Sequence, residues 1–144
     1  VSADPFDLNR FVSAQEGDYA RALAEVRAGR KRTHWMWYIF PQLDGLGSSS
    51  TAKFYALKSA DEARAYLAHP VLGPRLLECC EAALAVTGRT ASDIFGFPDD
   101  HKLRSCATLF AHISPPDSVF ARLLEKYFDG PDARTLELLS AAGS

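Results

Sequence analysis

Long apolar runs are missing from this 144-residue chain. No stretch approaches the roughly 18 consecutive apolar residues of a membrane span, and no basic segment followed by an apolar run marks a secretory leader. Cysteine is scarce, at three residues, and Cys79 and Cys80 are adjacent within a helical pattern. Neighbours on a helix point about 100° apart, so a disulfide framework is not expected, and no CxxC pair suggests zinc. Reduced thiols without a leader predict a soluble, cytoplasmic protein with no membrane partner. Positive charge is not in excess: 16 Lys and Arg face 18 Asp and Glu, for a net −2. That balance argues against a nucleic-acid partner. The four histidines never sit three or four residues apart, so the paired-histidine metal motif of a helix is absent, and no metal or cofactor is expected. Strand signals are also thin: no Asn-Gly or Asp-Gly turn joins two alternating segments.

What remains is helical punctuation. Asp4-Pro5 predicts a cap and first turn for a helix through Phe6, Leu8 and Phe11. Tyr19, Leu23 and Val26 repeat at helical spacing and stop before Gly29. Ser59-Ala60-Asp61-Glu62 reads as a capping box, and the helix it opens breaks at His69-Pro70. From about Val71 to Thr87, Leu72, Leu76, Cys80, Ala83 and Leu84 share one face, with Gly88 at the expected C-cap. Thr90 opens a short turn, closed by Gly96. Pro98-Asp99-Asp100 starts a helix with an apolar stripe of Leu103, Cys106, Ala107 and Phe110. Ser114-Pro115-Pro116-Asp117 separates it from a helix through Phe120, Leu124 and Tyr127, and Asp132 caps the last one. The basic cluster Arg30-Lys31-Arg32 reads as solvated charge at a helix end. The expectation is a mainly α, compact multi-helical single domain over residues 1–144, long enough to bury a core.

One segment stands out. His34-Trp35-Met36-Trp37-Tyr38-Ile39-Phe40-Pro41-Gln42 holds both tryptophans and the only methionine. It has no readable period; Thr33 as cap and Pro41 as stop predict a short buried helix from His34 to Phe40. Aromatic side chains bury large areas, while Trp N–H and Tyr O–H need partners once they leave water. The run is therefore either core or the wall of a pocket, and the Gly/Ser loop from Leu43 to Ser50 follows directly.

Several local patterns resemble a known family. They are His34-Trp35-x-Trp37-Tyr38-x-Phe40-Pro41-Gln42, Gly45-Leu46-Gly47 with Ser49 and Tyr55, Glu62-Ala63 with Tyr66-Leu67-x-His69-Pro70, and Leu72-Gly73 with Arg75-Leu76. Phe95-Gly96 with Asp99 and Asp100, Lys102-Leu103 with Ser105, Thr108-Leu109-Phe110 and Thr135-Leu136 continue the match over nearly the whole chain. They are similar to the bacterial domain of unknown function eighteen-ten, whose members are sometimes mislabelled calpastatin. The resemblance implies a single, mainly helical domain with no established activity. A fainter likeness, in the run of helices and in segments like Glu62–Leu76 but in no shared catalytic motif, is to the NADAR helical family acting on N-glycosidic bonds of ribosylated compounds; likeness of fold does not fix function.

The polar residues within these patterns are the candidate site. His34, Trp35, Trp37, Tyr38, Gln42 and Ser49 belong to the aromatic run and its loop; Lys102, Ser105 and Thr108 form a polar stripe beside the apolar one. Together they suggest a pocket for a small phosphorylated or ribosylated ligand, with stacking surface from the aromatics. Each has a structural reading as well: Ser49 as a helix cap, Lys102, Ser105 and Thr108 as an amphipathic boundary, His34 as a satisfied hydrogen-bonder. If an N-glycosidic bond is hydrolysed, a carboxylate is required, and Glu62, Asp99 and Asp100 are the candidates; capping is the competing role for Glu62 and for one of the aspartates. The alternative is a non-enzymatic protein-interaction or self-association module, with the aromatic run as core or as a patch buried against a partner or second copy.

Overall fold

The computed structural model describes residues 4–141. Among them are ten helices: α1 (Asn9–Glu16), α2 (Tyr19–Arg27), α3 (Met36–Ile39), α4 (Ser50–Phe54), α5 (Ala60–Ala68), α6 (Leu72–Ala85), α7 (Ala91–Phe95), α8 (Asp99–His112), α9 (Val119–Tyr127) and α10 (Ala133–Ala141). The one extended pairing among these residues is an isolated parallel bridge between Leu43 and Leu57. The two 14-residue helices form the spine. α6 packs on α2, α5 and α9, and α8 packs on α5, α7, α9 and α10, so α5 and α9 tie the two together. None of the described helices is long and apolar enough to cross a membrane.

Apolar spacing explains the spine. Leu72, Leu76, Cys80 and Ala83 on α6 and Leu103, Cys106, Ala107 and Phe110 on α8 are all buried. A ladder of rings fills the space between layers, with Phe11 edge-on to Tyr66 at 5.1 Å and Phe110 stacked on Phe120 at 5.3 Å. The α5–α6 corner depends on Gly73, where a Cβ would lie 2.0 Å from the Leu67 carbonyl oxygen; only glycine permits backbones to approach so closely.

Local capping chemistry fixes most boundaries. Ser49, Ser59, Thr90 and Ser118 each accept a hydrogen bond from a backbone N–H in the first turn of α4, α5, α7 and α9, and Asp132 does so for α10 through the Thr135 N–H. Four boundaries differ from expectation. α1 starts at Asn9 rather than near Pro5, because Asp7 turns the chain at φ 53 while the Asp4 carboxylate accepts from the N–H groups of Leu8 and Asn9. The helix within the aromatic run begins at Met36, not His34, because Thr33 directs its N–H and hydroxyl to Glu25 instead of capping. α6 ends at Ala85, where Val86 turns extended. Pro98, not an aspartate, occupies the N-cap of α8. The Ser59 box is also half-formed: Glu62 reaches the Lys58 N–H, not that of Ser59.

Candidate functional site

The site begins with a buried acid on α2. Glu25 lies on the same face as Ala22 and Val26, and its carboxylate accepts four hydrogen bonds: the N–H of Arg32 (2.7 Å), the N–H and hydroxyl of Thr33 (3.0 and 2.7 Å) and the Trp35 indole N–H (2.9 Å). Burial alone would push its pKa up; the four donors outweigh burial and hold it at about 2. Gly29, at φ 76, reverses the chain after α2 so that residues 30–33 fold back onto this carboxylate. Arg30 and Arg32 stay exposed, as expected of a helix-end cluster. Lys31 does not: its side chain is only 7% exposed, and its ammonium lies 2.8 Å from Asp99 Oδ2, 2.7 Å from the Thr33 carbonyl and 5.0 Å above Trp35.

Asp99, in the first turn of α8, is bridged on its other oxygen by Lys102 Nζ at 3.0 Å. Partial burial opposes ionisation, but hydrogen bonds and attraction from Lys31 and Lys102 prevail and lower its pKa. Lys102 also sits 4.0 Å over the Trp37 ring, a cation–π contact. These groups border a cleft of about 300 Å³, closed further by His34, Met36, Tyr38 and Thr51. Trp37 and Lys102 divide it from a second cleft of about 230 Å³, whose walls include Gln42, Gly47, His101, Ser105 and Arg134. Behind Trp37, between Gln42, Tyr55 and the Gly/Ser loop, is a cavity of about 10 Å³, the scale of a single water. The loop is held there by the Leu57 N–H to Gln42 carbonyl bond (2.9 Å) and the Asp44 N–H to Leu57 carbonyl bond (2.8 Å). Two larger hollows, about 530 and 430 Å³, lie elsewhere and are lined by no residue of the aromatic run.

Six of the nominated residues, His34, Trp35, Trp37, Tyr38, Asp99 and Lys102, meet in the first cleft; Gln42 and Ser105 join Trp37 and Lys102 in the second. Trp35 is 1% exposed and belongs mostly to the core, packed against Phe40 and Phe95. The Tyr38 hydroxyl donates to the Asp18 carboxylate, and burial is the first cause of its raised pKa. Ser49 caps α4 and lines neither cleft, and its helix contributes Thr51 instead. The Ser105 hydroxyl donates to the His101 carbonyl. Thr108 donates to the Arg104 carbonyl and accepts from the Asp132 N–H, which joins α8 to the start of α10. Glu62 lines neither cleft and is held in a buried ion pair with Arg10 at 2.8 Å. Asp100 accepts from the His101 N–H and lines neither cleft. Among the described residues no three His, Cys, Asp or Glu side chains converge as a metal site.

Three residues outside the nominated set shape the site. Glu25 carried a visible signal, an acid on the apolar face of α2. Lys31 was hidden inside a basic cluster that reads as solvent-facing. Thr51 carried none.

Residues 5–139 match the family model described as a protein of unknown function, DUF1810. The structure is similar to the crystal structure of the conserved hypothetical protein Rv1873 from Mycobacterium tuberculosis, at 54% identity and a TM-score of 0.93, over 95% of this chain and 99% of that one. Comparison with curated proteins gives no match. With the same sequence pattern, the same helical fold and a family match over almost its whole length, the chain belongs to the DUF1810 family.

Proposed function

We propose that the Trp37 cleft binds a small phosphorylated or ribosylated ligand. The observation that carries this reading is the triad of Lys31, Asp99 and Lys102, two ammonium groups on one carboxylate beside an aromatic wall. The surplus positive charge sits where burial weakens solvent screening, so an incoming phosphate gains charge-assisted hydrogen bonds. Trp37 and Tyr38 offer ring surface for the rest of the ligand. Hydrolysis is less well supported. Asp99, held ionised between two cations, is a weak base, and Glu62 is already engaged by Arg10 and the Lys58 N–H. Three free, buried thiols support a cytoplasmic setting.

The test is calorimetry and thermal shift with inorganic phosphate and ribose phosphate on the wild type and Lys102→Ala. Saturable binding to the wild type is expected, weakened roughly ten- to hundredfold in the variant if one charged hydrogen bond is lost. No binding at millimolar ligand, or equal binding by both proteins, would overturn the proposal. Concentration-dependent association of the protein, without any ligand response, would instead favour the interaction-module alternative.

A further inference from the structure

A hollow of about 430 Å³ lies between the end of α5, the middle of α6 and the start of α9, apart from the aromatic run. Its walls are mostly apolar. Leu67, Leu77 and Phe120 border it, and Leu77 is 40% exposed, so a ring placed there covers apolar surface that now meets water. One wall also carries a polar group that the fold leaves unused. The Ser114 hydroxyl is closed off from solvent and is the one buried side-chain polar atom among the described residues without a hydrogen bond. Ser118, on the same wall, is by contrast engaged as the cap of α9, accepting from the Ala121 N–H. A buried hydroxyl without a partner is costly, and native structures rarely keep one without a reason. Two opposite charges complete the lining. Glu81 on α6 and Arg122 on α9 stand 3.4 Å apart, each more than half exposed, and such a pair contributes little to stability.

We propose that this hollow binds a free apolar α-amino acid. The apolar side chain lies on Leu67, Leu77 and Phe120, the carboxylate meets Arg122, and the ammonium meets Glu81. The Ser114 hydroxyl, turned about its Cα–Cβ bond, donates to the same carboxylate and gains the partner that the free protein denies it. The first turn of α9, at the wall, adds backbone N–H groups of Val119 and Phe120 that the helix itself cannot satisfy, and its dipole favours the negative end of the ligand there. Charge selects the class of ligand. A molecule with one charge would separate Arg122 from Glu81 and leave one of them without a partner, whereas a zwitterion answers both. The volume falls within the range of about 300–1,000 Å³ that ligand sites occupy. This site shares no residue with the Trp37 clefts, so it stands or falls independently of the anion site.

The test is a ¹H–¹⁵N titration of the wild type with free phenylalanine and three analogues: phenethylamine, which lacks the carboxylate, 3-phenylpropanoate, which lacks the ammonium, and glycine, which lacks the ring. Phenylalanine should shift the backbone signals of Ser114 and Arg122 saturably. It should bind roughly three- to tenfold more tightly than either singly charged analogue, and glycine roughly tenfold or more weakly than phenylalanine. This ranking needs no variant to fold. Arg122→Met should bring phenylalanine down to the level of phenethylamine. Ser114→Ala should weaken phenylalanine several-fold, yet melt no lower than the wild type without ligand, because its hydroxyl has no bond to lose. Absence of binding at millimolar phenylalanine, or equal binding of phenylalanine and 3-phenylpropanoate, would overturn the inference. So would a Ser114→Ala protein less stable than the wild type without ligand, since its hydroxyl would then be satisfied already.

Discussion

Replacing Glu25 with glutamine isolates the charge that organises the floor of the cleft. The three donors on one carboxylate oxygen, from Arg32, Thr33 and Trp35, can be met by the amide oxygen, and the Thr33 hydroxyl on the other oxygen can turn to accept from the new NH₂. Geometry is preserved and charge assistance is lost. The size of the loss follows from the pKa. A fall from 4.5 to about 2 in the folded protein, at 1.36 kcal/mol per pH unit, corresponds to about 3 kcal/mol of stability at neutral pH. Because folding depresses this pKa, the contribution is complete above the unfolded value, and it fades as pH falls from about 4.5 towards 2. Urea unfolding of the wild type and Glu25→Gln from pH 7 to pH 2.5 reads it directly. The two proteins should differ by about 3 kcal/mol at pH 7, and the gap should shrink steadily below pH 5. A gap that is the same at pH 7 and pH 2.5, or no gap at pH 7, would refute the role given to this carboxylate.

Other consequences follow from packing. Gly73→Ala places a methyl against the Leu67 carbonyl and should destabilise by about 1–3 kcal/mol or more, seen as a lower urea midpoint at unchanged slope. Arg10→Ala leaves Glu62 charged and buried and should cost about 3–5 kcal/mol, whereas Arg10→Met with Glu62→Leu should recover much of it; an equal loss in the double variant would contradict the desolvation argument. Burial raises the Cys79 thiol to about 12 and the other two well above their usual value, so alkylation of the native protein should be negligible and all three thiols should react only after unfolding.

Sequence reasoning recovered what depends on near neighbours. Ser49, Ser59, Thr90 and Asp132 bond within three residues of themselves, and the stripes of α6 and α8 follow from a 3.6-residue period. It failed where a distant partner decides. Thr33 is a plausible cap by sequence, but Glu25, eight residues back, takes its N–H and hydroxyl. Lys31 reads as surface charge because Asp99, its partner, lies far along the chain. The polar stripe of α8 was found as a stripe, yet periodicity cannot tell an opening from a junction: Lys102 faces the clefts, while the Ser105 and Thr108 hydroxyls bond carbonyls of their own helix. The aromatic run, posed as core or wall, is both. Trp35 is sealed in and Trp37 is partly open.

That division offers the most direct test. With only two tryptophans, a ¹H–¹⁵N correlation spectrum shows two indole N–H signals, one bonded to Glu25 and one from Trp37 at the cleft. During titration with ribose phosphate, the Trp37 signal should move saturably while the Trp35 signal stays in place. Two indole signals that ignore the ligand, or that shift only as the protein concentration rises, would contradict a ligand site at Trp37.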